Sequence, residues 1–313
     1  MISLADPRAA AKRIAALIRH TPLMRVPSGT IDGVLAVDLH LKLELLQVTG
    51  SFKPRGAFNR ALTERPTGLV TSSGGNHGIA VAHVGRALGI PAVVPLPASV
   101  SPEKLARMRA LGAEAEIVGP TFQVSNAQAL KIASDRGYLY IHPFADESVV
   151  AGQGTVGLEI LEDLPNVDAV IVAVGGGGLL GGVAMTLKEL RPSVRVIGVE
   201  PFGADALTRS LAAGRPIALD KIETAAATLA PPFTSQVNLE LAQRYVDQMV
   251  HVSDDEMQRA ARWLWDVLAI PAELGGAAAT AAVLSGRLAL EPGSKVVSIV
   301  CGAGTAGLST GSS

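Results

Sequence analysis

The sequence has little charge and almost no cysteine. A single cysteine among 313 residues excludes a disulfide scaffold and any multi-cysteine metal site, and it fits a reducing compartment. Lysine and arginine number 27 against 28 aspartates and glutamates, a net charge of −1. No basic field is available for phosphate backbones, so nucleic acid is not an expected partner. Charged residues make up 18% of the chain, below the roughly 25% usual in soluble domains. Internal repeats, low-complexity linkers and long charge runs are missing. The N-terminus carries Asp6, Arg8, Lys12 and Arg13 without an apolar signal core, so no secretion signal is expected. What is present is a hydrophobic fraction of 48% and 33 glycines. That much apolar material excludes disorder, and the length suggests roughly two domains.

Low charge with abundant glycine can mean a membrane span or a buried, ligand-cradling sheet. The longest uncharged run, Ala169 to Leu187, approaches the length of a transmembrane helix, which needs about 20 apolar residues. Gly175 to Gly178, Gly181 and Gly182 interrupt it, and glycine is a poor helix former. The run divides better into a strand (Ala169 to Val174), a glycine loop and a helix from about Leu179. A cytoplasmic protein with no membrane partner is the expectation.

Apolar strands alternate with helical patterns through most of the chain. Gly68 to Ser72, Ala92 to Pro95 and Glu114 to Val118 read as strands. Helices follow them at about His77 to Leu88, from Ser101, and through Arg136. Ser101 is an N-cap candidate with Pro102 at the first helical position. The alternation resumes with strands at Ala169 to Val174, Val194 to Val199 and Lys295 to Cys301. Ser253 and Glu256 fit a capping box for a helix continuing past Trp265. Strands that are apolar throughout belong to parallel sheets covered on both faces. The class is α/β. Its units fall into two groups, near 68–145 and after 165, which predicts two lobes with a cleft between them: a small domain over 51–145, and a large one from 1–50 with 146–313.

Three glycine-rich segments stand where strands end and helices begin, the edge at which parallel α/β sheets bind ligands. Thr71-Ser72-Ser73-Gly74-Gly75-Asn76-His77-Gly78 mixes small and hydrogen-bonding residues ahead of a helix N-terminus, which suits a carboxylate or phosphate. Gly175 to Gly178 has no side chains, so its amides can approach an anion closely. Val300-Cys301-Gly302-Ala303-Gly304-Thr305 is the third; alone, Cys301 reads as a buried structural thiol. Each loop by itself could be an ordinary βα turn. The segment Gly50-Ser51-Phe52-Lys53-Pro54-Arg55-Gly56-Ala57 places a lysine at a helix start. A solvated lysine is the commonest outcome there. With an aromatic neighbour and anion-binding loops elsewhere, it also suits a carbonyl cofactor with a phosphate, to which a desolvated lysine can form a Schiff base.

Taken in order along nearly the whole chain, these motifs resemble the fold-type II pyridoxal-phosphate (PLP) enzymes, in their threonine/serine dehydratase and serine racemase branch, with a tryptophan synthase β-like two-domain fold. The resemblance rests on Ser51-Phe52-Lys53 with Arg55-Gly56, Ser72 to Gly78, His142-Pro143-Phe144, Ala151-Gly152-Gln153-Gly154-Thr155, Gly175 to Gly178, Glu200-Pro201, Glu273 and Cys301-Gly302. It implies that Lys53 carries the cofactor and then takes the substrate α-proton, while Phe52 packs on the ring. Asn76 would bond the ring 3′ oxygen, Gly175, Gly176, Gly177 and Gly178 the phosphate, and Cys301 would face the pyridine nitrogen with Glu273 also beside the cofactor. Ser73, Gly74, Gly75, Asn76 and His77 would hold the substrate carboxylate. The implied activity is elimination from L-threonine, L-serine or a related β-hydroxy amino acid, the cofactor phosphate helping the hydroxyl to leave, in a homodimer or homotetramer. Racemisation or β-replacement on the same fold is the alternative. A non-catalytic nucleotide-binding protein is a remote one, since it leaves Lys53 and Asn76 unexplained.

Departures from the family pattern narrow the expectation. Racemases of this branch place a serine where Gly74 stands, and glycine cannot transfer a proton. A divalent-cation site in some relatives uses a glutamate, a backbone carbonyl and an aspartate; Glu200 and Ala204 match, but Ala206 stands at the third position. The Asp-Gly usual near 224–229 is replaced within Ala226-Ala227-Thr228, so side-chain preference is open. No C-terminal regulatory domain is expected beyond the Cys301 strand. His20, His40, His83 and His251 lack ligand spacing and read as structural, and His77 as shaping its loop. Trp263 and Trp265 cannot share one helix face, which suggests one of them at a subunit contact.

Overall fold

A computed structural model describes residues 2–27 and 37–305. In chain order the elements are α1 (Ala5–Ile14), β1 (Leu23–Arg25), β2 (Asp38–Lys42), α2 (Lys53–Glu64), β3 (Leu69–Val70), α3 (Asn76–Leu88) and β4 (Ala92–Pro97). Then follow α4 (Pro102–Ala110), β5 (Glu114–Gly119), α5 (Phe122–Arg136), β6 (Leu139–Tyr140), α6 (Glu147–Asp163), β7 (Ala169–Ala173) and α7 (Gly178–Leu190). The chain continues through β8 (Arg195–Pro201), α8 (Ala206–Ala213), α9 (Gln236–Tyr245), β9 (Gln248–Val252), α10 (Asp254–Leu268), α11 (Leu274–Leu284) and β10 (Lys295–Ile299).

Two sheets organise these elements. The larger has the order β1-β2-β10-β7-β8-β9, parallel apart from β1, which runs antiparallel to β2. The smaller, β5-β4-β3-β6, is parallel throughout. The all-apolar runs explain the central strands: every residue of β7 and β4 is buried. Pro95 and Pro97 are tolerated in β4 because β3 pairs only with Ala92 and Val93, so both prolines lie past its end. Strand β5 is an edge; it exposes Ile117 and Val118 and guards them with Glu114 and Glu116.

Each sheet has its own apolar core. One cluster joins β7, β8, β10, α7, α10 and α11; the other joins β3, β4 and α3 with Ala57 and Phe58 of α2. Ile14 of α1 lies in the smaller core. Helix ends follow local chemistry. Ser101 accepts from the Lys104 amide, Asp146 from Ser148 and Val149, and Ser253 with Glu256 closes a capping box. Among the described residues no helix is long and apolar enough to cross a membrane, and the run from Ala169 is strand, glycine loop and helix.

Helix α2 matters most for the site, because Lys53 is its first residue. It packs against α6 through Gly56 and Gly152, where a Cβ on Gly152 would fall 2.5 Å from the Arg55 carbonyl. Arg55 is fully buried and forks between two carboxylates. Its Nε and Nη2 donate to Glu44 (2.8 and 2.7 Å), and Nη1 and Nη2 to Glu159 (2.6 and 2.9 Å). Lys42 Nζ completes the cluster, 2.7 Å from Glu159. Paired, bidentate geometry is what makes such burial tolerable.

Candidate active site

The C-terminal ends of β3, β7 and β10 converge with the start of α2. Residues 45–52 are laced to the end of β10: Leu45 N donates to the Val300 carbonyl, Phe52 N to that of Cys301, and Ala303 N to that of Gly50. This fixes Phe52 as the N-cap of α2 and Lys53 as its first residue, with Pro54 next. Lys53 Nζ donates to the Pro143 carbonyl at 2.8 Å and lies 5.0 Å from the centroid of the Phe52 ring. Burial lowers its pKa to about 8, although Cys301 and Glu273 pull it upward. A lysine so placed has an appreciable neutral fraction near neutrality.

The groups around it carry little positive charge. The Cys301 thiol is buried and donates to the Gly275 carbonyl at 3.4 Å. Burial, with Glu273 adding to it, pushes the thiol up to about 12, so it is neutral. His77, in the first turn of α3, is pushed down to about 3 by burial and by Lys53. It is a neutral ring, and Nε2 donates to the Ile141 carbonyl at 3.0 Å. His142 is lowered to about 4 for the same reasons, and its Nδ1 accepts from the Phe144 and Ala145 amides (3.2 and 2.9 Å).

Two glycine loops face this lysine region. After β3, Thr71 Oγ1 donates to the Ile141 carbonyl, Ser72 Oγ to Ser125 Oγ, and Gly75 N to Ser73 Oγ. Asn76 then opens α3 and donates from Nδ2 to Glu273 Oε1 at 2.7 Å. Glu273 is the N-cap of α11. Burial raises its pKa, opposed by Lys104, Asn76, Thr228 and Lys53. After β7, Gly177 has φ +92° and Gly178 starts α7, a left-handed turn that a side chain would strain. A Cβ on Gly176 would lie 2.2 Å from the Phe144 ring. The loop is held by residues that sequence reasoning missed: Asn238 Nδ2 donates to the carbonyls of Gly176 (2.8 Å) and Phe144 (2.9 Å), and Thr234 Oγ1 to that of Gly176 (3.1 Å). No local pattern marks Asn238 or Thr234, since they reach Gly176 across 62 and 58 positions.

This donor set fits PLP. The glycine cradle has room only while it lacks side chains, its amides open a helix whose dipole favours phosphate, and a desolvated amine with a neutral thiol stands beside it. The proposed cation site is different. Both Glu200 oxygens are taken by α8: Leu207 N donates to one (2.8 Å), Thr208 N and Oγ1 to the other (2.9 and 2.6 Å). Asp205 is paired with Arg209 (3.0 Å). The Glu200 carboxylate is thus engaged by the start of α8, and among the described residues no group of three acidic, histidine or cysteine side chains could hold a metal.

The architecture is that of the fold-type II PLP enzymes. The family model described as "Pyridoxal-phosphate dependent enzyme" matches residues 14–302, and the chain belongs to that family. It is 39% identical to the phenylserine dehydratase of Ralstonia pickettii, over 94% of this chain and 90% of that protein. The crystal structure of a threonine deaminase from T.th. superposes with a TM-score of 0.91 at 39% identity, covering 96% and 98% of the two chains. Maize serine racemase superposes equally well, TM-score 0.91 at 32% identity over 96% and 93%.

Proposed function

We propose that the chain is a PLP-dependent dehydratase, an ammonia-lyase converting L-threonine, L-serine or a related β-hydroxy amino acid into a 2-oxo acid and ammonia. The observation carrying this reading is the Lys53 amine, shifted to about 8 by burial and set between the glycine loop region and the neutral Cys301 thiol. Bound PLP supplies the carbonyl that takes up an amino group and the conjugated ring that accepts the Cα electron pair. Lys53 Nζ holds the cofactor and then takes the Cα proton. Loss of the β-hydroxyl as water leaves an enamine, which adds water and releases ammonia and the 2-oxo acid.

The chain's other residues bind and orient. Backbone amides of Ser73, Gly74 and Gly75, with the start of α3, receive the substrate carboxylate. Asn76 meets the ring oxygen, Phe52 the ring face, and Gly175 to Gly178 the phosphate. His77 and His142, pushed down by burial and by Lys53, are weak bases, and Lys53 is the group that takes the Cα proton. Resemblance to serine racemases makes racemisation the second reading, yet Gly74 offers no side chain to carry a proton from the opposite face. The two sheets support a division into 51–145 and 1–50 with 146–313. Exposed Trp265 and Val267 of α10 and exposed Phe202 suit a homodimer or homotetramer, in a cytoplasmic setting.

A 2-oxo acid assay across threonine, serine and phenylserine, with chiral analysis of recovered serine, tests this. Release of 2-oxo acid with no D-serine is expected. D-serine without 2-oxo acid would reverse the assignment.

A further inference from the structure

The loop before α9 departs from the family at Ala226-Ala227-Thr228, and its first residues are tied to α10. Asp254, the first residue of α10, accepts from Thr224 Oγ1 (2.5 Å) and from the Ala225 amide (2.7 Å). Ala226 N donates back to Thr224 Oγ1 (3.1 Å), and Leu229 N to the Ala226 carbonyl (2.8 Å). The tight turn Ala227–Leu229 that results brings half-buried Thr228 against two parts of the site at once. Its carbonyl lies 3.2 Å from where a Cβ of Gly175 would be, beside the phosphate-loop candidate. Its hydroxyl Oγ1 lies 2.3 Å from where a Cβ of Gly275 would be, in the first turn of α11. That places the hydroxyl beside Glu273, which caps the same helix and accepts from Asn76 Nδ2 at 2.7 Å.

We propose that Thr228 is a positioning residue: its hydroxyl braces the Glu273 carboxylate, which in turn fixes the Asn76 amide facing the cofactor ring. The inference rests on the reading of the site as PLP-binding. Three elements distant in sequence meet in this relay: the 224–229 loop, the N-terminus of α11 and the N-terminus of α3. A buried carboxylate held by a single amide donor could turn away from it; a second donor on the other side removes that freedom. The hydrogen bonds from Asn76 and Thr228 both favour ionised Glu273 against the burial that opposes it. Lys53 and Lys104 act in the same direction, and Cys301 is the remaining titratable neighbour. An ionised Glu273 draws one Asn76 N–H and leaves the other free for a ring oxygen. Gly275 belongs to the device, since any side chain there would occupy the position of the Thr228 hydroxyl.

The test is a PLP titration of apoenzyme, followed by the visible absorbance of the lysine-bound cofactor. Thr228→Val should weaken PLP binding about fivefold, the range of one lost hydrogen bond, and Thr228→Ser should restore it. Gly275→Ala, which displaces the hydroxyl without removing it, should weaken binding similarly. In a Glu273→Gln background the Thr228→Val effect should fall below about twofold, because the relay is already broken. Equal loss in both backgrounds would assign Thr228 a packing role and overturn the inference, as would a Thr228→Val affinity within about twofold of wild type. Absence of any visible band in the wild type would instead refute the PLP reading itself.

Discussion

Replacing Arg55 by methionine removes the guanidinium that sits two residues after Lys53 and leaves its partners in place. Four charge-assisted bonds of 2.6 to 2.9 Å are lost. Glu159 keeps Lys42 at 2.7 Å, so the damage falls mainly on Glu44, which retains the Thr21 hydroxyl and is fully buried. Stranding one buried charge in this way costs about 3–5 kcal/mol. Urea unfolding at pH 7 should therefore show a deficit of about 3–5 kcal/mol. A deficit under about 1 kcal/mol would refute the role assigned to this cluster.

Asn238→Ala removes both bonds that hold Gly176 and Phe144 together. PLP affinity should fall about tenfold in an apoenzyme titration, whereas unchanged affinity would detach Asn238 from the phosphate loop. Burial pushes Glu200 up to about 7, against the bonds from Thr208 and Leu207. A folded-state pKa above the unfolded one means that Glu200 favours folding at low pH and that this contribution is lost as pH rises toward 7. Glu200→Gln removes that dependence, so the stability difference between variant and wild type should change by on the order of 2–3 kcal/mol between pH 5 and pH 8; parallel pH profiles would contradict it. The same capping of Glu200 by α8 predicts that EDTA leaves the wild-type melting temperature unchanged, which a thermal melt with and without chelator checks.

The parallel core was legible in the sequence because β4 and β7 are apolar at every position, a pattern that only two-sided burial produces. Helix starts at Ser101 and Ser253 were legible because their caps are local. Strands β2 (Asp38–Lys42) and β9 (Gln248–Val252) were missed: they carry polar residues and have no glycine loop after them. Helix α6 was missed because Gly152, Gly154 and Gly157 make it look like a loop. Those glycines let α2 and α7 approach, so packing rather than propensity makes it helical. In the candidate site, Lys53, Asn76, Gly175 to Gly178 and Cys301 were singled out by motif order. Their supports were not. Arg55 meets Glu159 across 104 positions and Asn76 meets Glu273 across 197, pairings that exist only once the chain has folded. The contacts of Glu200 were not legible either, because nothing in the sequence announces that both its oxygens accept from the start of α8.

The central claim is that Lys53 is the residue that holds PLP. Reduction of the PLP-loaded protein with borohydride, then digestion and mass spectrometry, tests it most directly. The reduced pyridoxyl phosphate adduct should be found on the peptide containing Lys53, and the Lys53→Ala protein should show neither adduct nor 2-oxo acid release. An adduct on another lysine, or full activity in Lys53→Ala, would contradict the account.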